Sequence, residues 1–259
     1  MARLTEDEFH EALHDELGKP YRPTGKRKHN YPRGHPARRA DTRQPDRSHS
    51  LRWATAKVNP RTSSIDVQLR INYKTDTLSP DEKQRLKALA KDGITRFWSR
   101  TINIGKWQFK VKVTAQHRQG PNALPLQLEI NPDPSEYKRS YNPSLPIIDA
   151  TIVYNEQSSA VSGSAEKDFQ LTAAHELGHS VLTHAAGHYH SWTHKGTTHL
   201  WQQVKTSRRG YPKNGRIDLM EYYNSEKNAL TIRQKHRRTK ASDKDIKRLI
   251  WGAKFEWIT

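Results

Sequence analysis

Between Ala173 and Gly196 the chain reads AAHELGHSVLTHAAGHYHSWTHKG, and six of these residues are histidines. The first two, His175 and His179, bracket a glutamate as His-Glu-x-x-His. On a helix, residues four apart are offset by about 40° and roughly 6 Å of rise, so both imidazoles can reach one ion from the same face. A catalytic zinc needs neutral imidazoles, an open coordination position and a base for its water. His175 and His179 supply the ligands and Glu176 the base, so the pattern predicts a Zn2+ site with Glu176 as catalytic residue.

Catalytic zinc sites use three protein ligands, so a further residue must join the pair. If the helix runs on, His184 lies about 180° from His175 and about 140° from His179, facing away from the ion. Gly187 lets the chain reverse, and beyond it come His188, His190, His194 and His199. His194, in SWTHKGTT with Trp192 as an anchor and Gly196 permitting a tight turn, is favoured as the third metal ligand. His184, His188, His190 and a carboxylate such as Glu221 stay open as alternatives. His199 and His236, and His188 if it is not recruited, read as solvated imidazoles.

The elements that must hold these residues show in the hydrophobic period. SSIDVQLRINYKTD alternates Ile65, Val67, Leu69 and Ile71 as a half-buried strand, and three more follow: Trp107 to Val113, Leu124 to Ile130, and Ile147 to Asn155. Ser79-Pro80-Asp81-Glu82 opens a helix that keeps Leu86, Leu89, Ala90, Ile94, Phe97 and Trp98 on one face. A second long helix, Ala165 to Ala186, carries the histidine motif over an apolar backing of Leu171, Ala174, Leu177, Val181 and Leu182. Near the start, Thr5 and Glu8 make a capping box for a short docking helix with Leu4, Phe9, Leu13 and Leu17 on one side. Lys19 to Thr55 holds Pro, Gly, Arg and His with few aliphatic residues, a composition expected to be disordered or extended. This divides the chain into residues 1-60, a short helix plus basic leader, and 61-259, a metal-bearing domain.

Composition narrows the chemistry. The chain has 259 residues and no cysteine, so disulfides, thiolate metal sites and cysteine nucleophiles are excluded, and metal binding must use His, Asp and Glu. No stretch approaches the roughly 20 apolar residues of a membrane span, and the acidic amphipathic opening lacks the apolar run of a Sec signal. The net charge of +18 sits at the two ends: Gly18 to Pro60 carries twelve Lys/Arg against two acids, and Lys205 to Thr259 fifteen against six. Such ends suit nucleic acid or an anionic surface, yet neither shows a zinc-finger spacing or an aromatic-basic strand motif.

The order of strands and helices, the zinc helix, a later methionine in GRIDLMEYYN and the terminal stretch ASDKDIKRLIWGAKFEW, read as an amphipathic helix, together resemble the metzincin clan of zinc endopeptidases. The resemblance covers residues 62 to 259 as architecture and two short motifs as sequence. It implies an α+β zincin fold: a mixed twisted sheet, an active-site helix and a C-terminal helix. It also implies that Met220 floors the metal site and that Tyr222, two residues later, binds the metal or supports the tetrahedral intermediate. The chain departs from the clan after the second histidine, where Leu182 and Ala185 stand in place of the glycine and the third histidine ligand.

The reading that follows is a zinc metallopeptidase acting on a protein or peptide substrate, held extended against the strand at Ile147 to Asn155. A nucleic-acid-binding protein with a structural metal, and a peptidoglycan-directed zinc hydrolase, are the alternatives. A helix, a basic segment and a cysteine-free enzyme with no Sec signal resemble a toxin or effector delivered by a secretion or contractile-injection apparatus, secreted or injected by a non-Sec route. The other expectation is a cytoplasmic enzyme with a tail.

Overall fold

Ser64–Lys74 alternates strictly, with Ile65, Val67, Leu69, Ile71 and Tyr73 buried, and this strand organises the sheet around it. A computed structural model of the chain describes residues 4–18, 50–133, 135–142, 149–156, 164–185, 210–221, 223 and 228–258. Within them lie α1 (Glu6–Gly18), β1 (Leu51–Asn59), β2 (Ser64–Lys74), α2 (Pro80–Trp98), β3 (Arg100–Ile104), β4 (Trp107–His117), β5 (Leu124–Asn131), β6 (Ala150–Asn155), α3 (Ser164–Ala185), β7 (Ile217–Asp218), α4 (Ile232–Arg238), β8 (Thr239–Lys240), α5 (Asp243–Gly252) and β9 (Ala253–Trp257). The fold is α+β, with a mixed seven-stranded sheet and five helices among the described residues.

One edge of β2 pairs antiparallel with β1. Along the other edge, β4 runs parallel to Ser64–Ile71 and β5 then takes over parallel to Ile71–Lys74. β6 pairs parallel with β5, β3 closes the far side antiparallel to β4, and β9 joins β1 in parallel. α2 begins where it was expected: Ser79 and Glu82 form a reciprocal capping box, Pro80 opens the helix, and Leu86, Ala90, Ile94, Phe97 and Trp98 are buried. No helix among the described residues is long and apolar enough to cross a membrane.

Three expectations are corrected. Residues 51–55, read as leader, are the first half of β1, and Leu51, Trp53, Ala54, Ala56 and Val58 are buried in the sheet. Small and single apolar residues between polar ones hid the strand, and its burial on both neighbouring edges reveals it. α1, expected as a docking helix, docks on this same fold and not as part of a separate leader: Phe9 packs on Phe109, Phe255 and Trp257 at ring separations of 5.3, 5.5 and 5.8 Å. Glu16 on α1 also accepts from the Gly105 amide at 2.6 Å and pairs with Lys247. The line between 60 and 61 is therefore not a boundary of the fold. Lastly, the terminal helix stops at Gly252, and AKFEW becomes β9, because Ala253, Phe255 and Trp257 alternate as a strand beside β1.

Candidate metal centre

The helix that carries the histidine motif is fixed from below before any metal is considered. Phe169, Ala173, Ala174, Leu177, Val181 and Leu182 are buried on its inner side. α2 crosses it so closely at Gly93 that a Cβ there would collide with the Gln170 carbonyl, which is why the crossing needs glycine. Trp98 at the end of α2 donates its indole Nε1–H to the Ala174 carbonyl at 3.0 Å, one residue before the first histidine. From the other side, Asn142 donates Nδ2–H to the Glu176 carbonyl at 2.6 Å and to Ser180 Oγ at 3.0 Å.

On the opposite face of this helix, itself largely covered, His175, Glu176 and His179 bring one ligand atom each within 4.8 Å of one another, a group able to hold a metal ion. The two imidazole rings stand 4.8 Å apart and at 90°. His175 Nδ1 lies 2.7 Å from the Leu219 carbonyl. A carbonyl only accepts, so Nδ1 carries the hydrogen and Nε2 keeps its lone pair for a ligand, the arrangement by which metal-binding histidines are oriented. Burial lowers the His175 pKa and the Leu219 carbonyl opposes that shift, so the ring favours the neutral form that a metal requires.

Glu176 is 6% exposed, and burial pushes its carboxyl up to about 8 against the pull of the Arg139 guanidinium. Among the described residues its Oε2 is buried without a hydrogen-bond partner, 4.0 Å from His179 Nε2. Burying a carboxylate oxygen unpaired is costly, and a cation or polarised water beside the two imidazoles is what would satisfy it. The donor set of two nitrogens and an adjacent carboxylate therefore fits a metal.

Met220 lies directly beneath the motif. It is fully buried, and a Cβ built on Gly178 would run into its Sδ and come within 3.2 Å of Trp98 Cζ2. A glycine inside a helix costs stability relative to alanine. Here it makes room for the methionine between the two histidines. The turn that delivers Met220 is tied by its own atoms: Asp218 Oδ1 accepts from the Met220 amide at 2.9 Å, and Leu219 N–H donates to the Lys240 carbonyl at 3.0 Å. Tyr223 completes it, accepting from the Asp218 amide at 3.1 Å and donating to Glu221 Oε2 at 3.0 Å.

His175, Glu176 and His179 thus meet in space. The favoured third ligand His194 lies outside the described residues, as do His188, His190, His199 and Tyr222. α3 continues through Ala185, so His184 sits on uninterrupted helix. Glu221 is not a member of the ligand group; its carboxylate is turned to Tyr223. His236 is not simply solvated: its Nε2 lies 2.7 Å from Gln170 Oε1 and its ring stands edge-on to Phe97.

Sequence reading missed Asn142, the Leu219 carbonyl and the purpose of Gly178, though a glycine within an apolar helical run was a signal for close approach. It also misplaced the edge available to an extended ligand. Tyr141 pairs with Thr151 on β6 through both main-chain hydrogen bonds, Ser140 Oγ accepts from the Val153 amide, and the Asn155 side chain bonds both main-chain groups of Lys138. Residues 138–142 therefore cover the free edge of β6 and become the rim of the site. Comparison of the chain with protein-family models, with curated proteins and with solved structures gives no match.

Proposed function

We propose that the chain is a zinc-dependent metallopeptidase of metzincin-like build, hydrolysing peptide bonds at the His175–Glu176–His179 site. The observation that carries this reading is the orphaned Glu176 Oε2 beside two imidazoles, one of them already oriented by a backbone carbonyl. The support for the metzincin resemblance is Met220 packed under Gly178, with the preceding Leu219 carbonyl holding His175.

His175 and His179 would hold the ion, with a third ligand from the residues beyond α3. A bound zinc supplies Lewis-acid polarisation of a carbonyl and brings the pKa of a bound water to about 7. The chain's own contributions follow from geometry. Glu176 takes a proton at Oε2 and returns it to the leaving amine; burial raises its pKa, and a cation held by the two imidazoles would draw it back toward the carboxylate that can accept that proton. Leu219 fixes the His175 tautomer, and Met220 with Trp98 keeps the helix from shifting beneath the pair. Asn142 holds the rim at a set distance from Glu176.

The test is Glu176→Gln. The variant should keep its zinc, measured by metal analysis of purified protein, and lose casein or peptide cleavage by a factor on the order of 10²–10⁴. His175→Ala and His179→Ala should lose both. Parent-like cleavage by the glutamine variant refutes the mechanism.

A further inference from the structure

The rim that covers β6 has two unlike sides. Ser140 and Asn142 are buried and face the sheet and the helix, where they bind the Val153 amide and Glu176. Tyr137, Arg139 and Tyr141 stand at every second position and are exposed, the two tyrosines at 60% and 50%. Among the described residues only one other large hydrophobic side chain, Ile258, is comparably exposed. Two of the three therefore sit on one short segment, fastened to the backbone of Glu176 by a 2.6 Å hydrogen bond.

Three side chains at alternate positions of an extended segment are spaced by about 6.5–7 Å, the repeat of side chains along another extended peptide. Tyr137 leans toward α3, its hydroxyl donating to Asp168 Oδ2 at 3.2 Å, and its side chain stays exposed. The charge of Lys138 is taken up by Glu129 at 2.6 Å across the sheet edge. Arg139 is exposed between the two tyrosines, on the segment that Asn142 ties to Glu176, and its charge acts on both Glu176 and His175. Aromatic faces flanking a guanidinium suit a ligand with apolar side chains on either side of a carboxylate.

We infer that Tyr137, Arg139 and Tyr141 form the substrate-selecting rim of the site, and that Arg139 selects extended peptides bearing an acidic residue beside the bond to be cut. The inference rests on the hydrolytic reading of His175, Glu176 and His179 and adds the substrate class. The chain's surplus of +18 charges attracts such peptides from a distance, whereas the rim chooses the position of the carboxylate.

Binding and cleavage test it separately. The probes are rhodamine-labelled Leu-Ala-Glu-Ala-Leu and its Gln and Lys counterparts, offered with zinc to the full chain carrying Glu176→Gln and followed by fluorescence anisotropy. The Glu peptide should bind about fivefold more tightly than the Gln peptide, and more tightly still than the Lys peptide. Arg139→Glu should reverse that order. Lys112→Glu, the same charge change on exposed β4, beyond β2, β5 and β6 from the rim, should leave the order intact. Tyr137→Ala and Tyr141→Ala should weaken all three peptides alike. Equal binding of the three peptides, or the same loss of preference in Lys112→Glu as in Arg139→Glu, overturns the inference. Failure of the hydrolytic reading shows differently, as peptides left intact by the zinc-loaded parent whatever their binding order. If the parent does cleave, kcat/KM should follow the same order as binding.

Discussion

A single hydrogen atom in place of a methyl group decides how the helix bearing His175 and His179 sits. Gly178 leaves room for Met220 Sδ and the edge of Trp98, so Gly178→Ala must push either the methionine out of its place or the helix off its support. Overpacking of this kind costs about 1–3 kcal/mol, and at this size each kcal/mol lowers Tm by roughly 2–4 °C. Zinc affinity should fall with it, since the shift acts between the two histidines. The double variant Gly178→Ala, Met220→Ala should be more stable than the sum of the single effects implies, because the second change vacates the space the first one needs. Additive losses in thermal melts would show that the contact is incidental. At this scale the sequence was most informative about chemistry: His-Glu-x-x-His specifies a shared face by spacing alone. It was silent about Leu219 and Asn142, whose roles arise from a carbonyl and an amide brought in from distant segments, and such roles leave no periodicity to read.

Elements with long alternating faces, β2, β4, β5 and α2, were legible because burial on one side imposes a period. The elements that escaped were short or lacked one. β3 has five residues and β7 and β8 have two each, whereas β6, buried throughout, lies within the strand expected at Ile147 to Asn155. α4 belongs with the short elements as a seven-residue helix whose place depends on its neighbours. His236 on α4 bonds Gln170 on α3 and packs against Phe97 on α2. Burial holds its pKa down at about 4, with the charges of Arg96, Lys167 and Lys240 pushing the same way. The folded protein thus resists a proton that the unfolded chain accepts from about pH 6.5 downward, so stability declines as pH falls from about 6.5 toward about 4. His236→Gln keeps a polar partner for Gln170 and removes the titration. Its Tm should change less than that of the parent between pH 7.5 and pH 5, and identical slopes would remove His236 from the account.

Across the described residues, the candidate metal site lies where three separate stretches converge: α3, the turn at 218–221 and the rim at 138–142. One feature of the mixed sheet reaches beyond the site. β9 pairs with β1, matching Leu51 to Ala253 and Ala56 to Phe255, so the sheet is closed by strands from opposite ends of the folded sequence. Loop closure over such a separation is slow, and contacts of this kind form after local ones. β1 is therefore expected to spend the early part of folding with an open edge, the condition in which strands pair with the wrong chain. Phe255→Ala should raise the unfolding rate and leave the refolding rate nearly unchanged, whereas Val113→Ala, between β2 and the helices, should slow refolding. A refolding rate that drops equally in both variants would place the closure early instead. On this order the part of the sheet packed on α2 and α3 assembles first, and the β1–β9 seam is where mispairing between chains during refolding should begin.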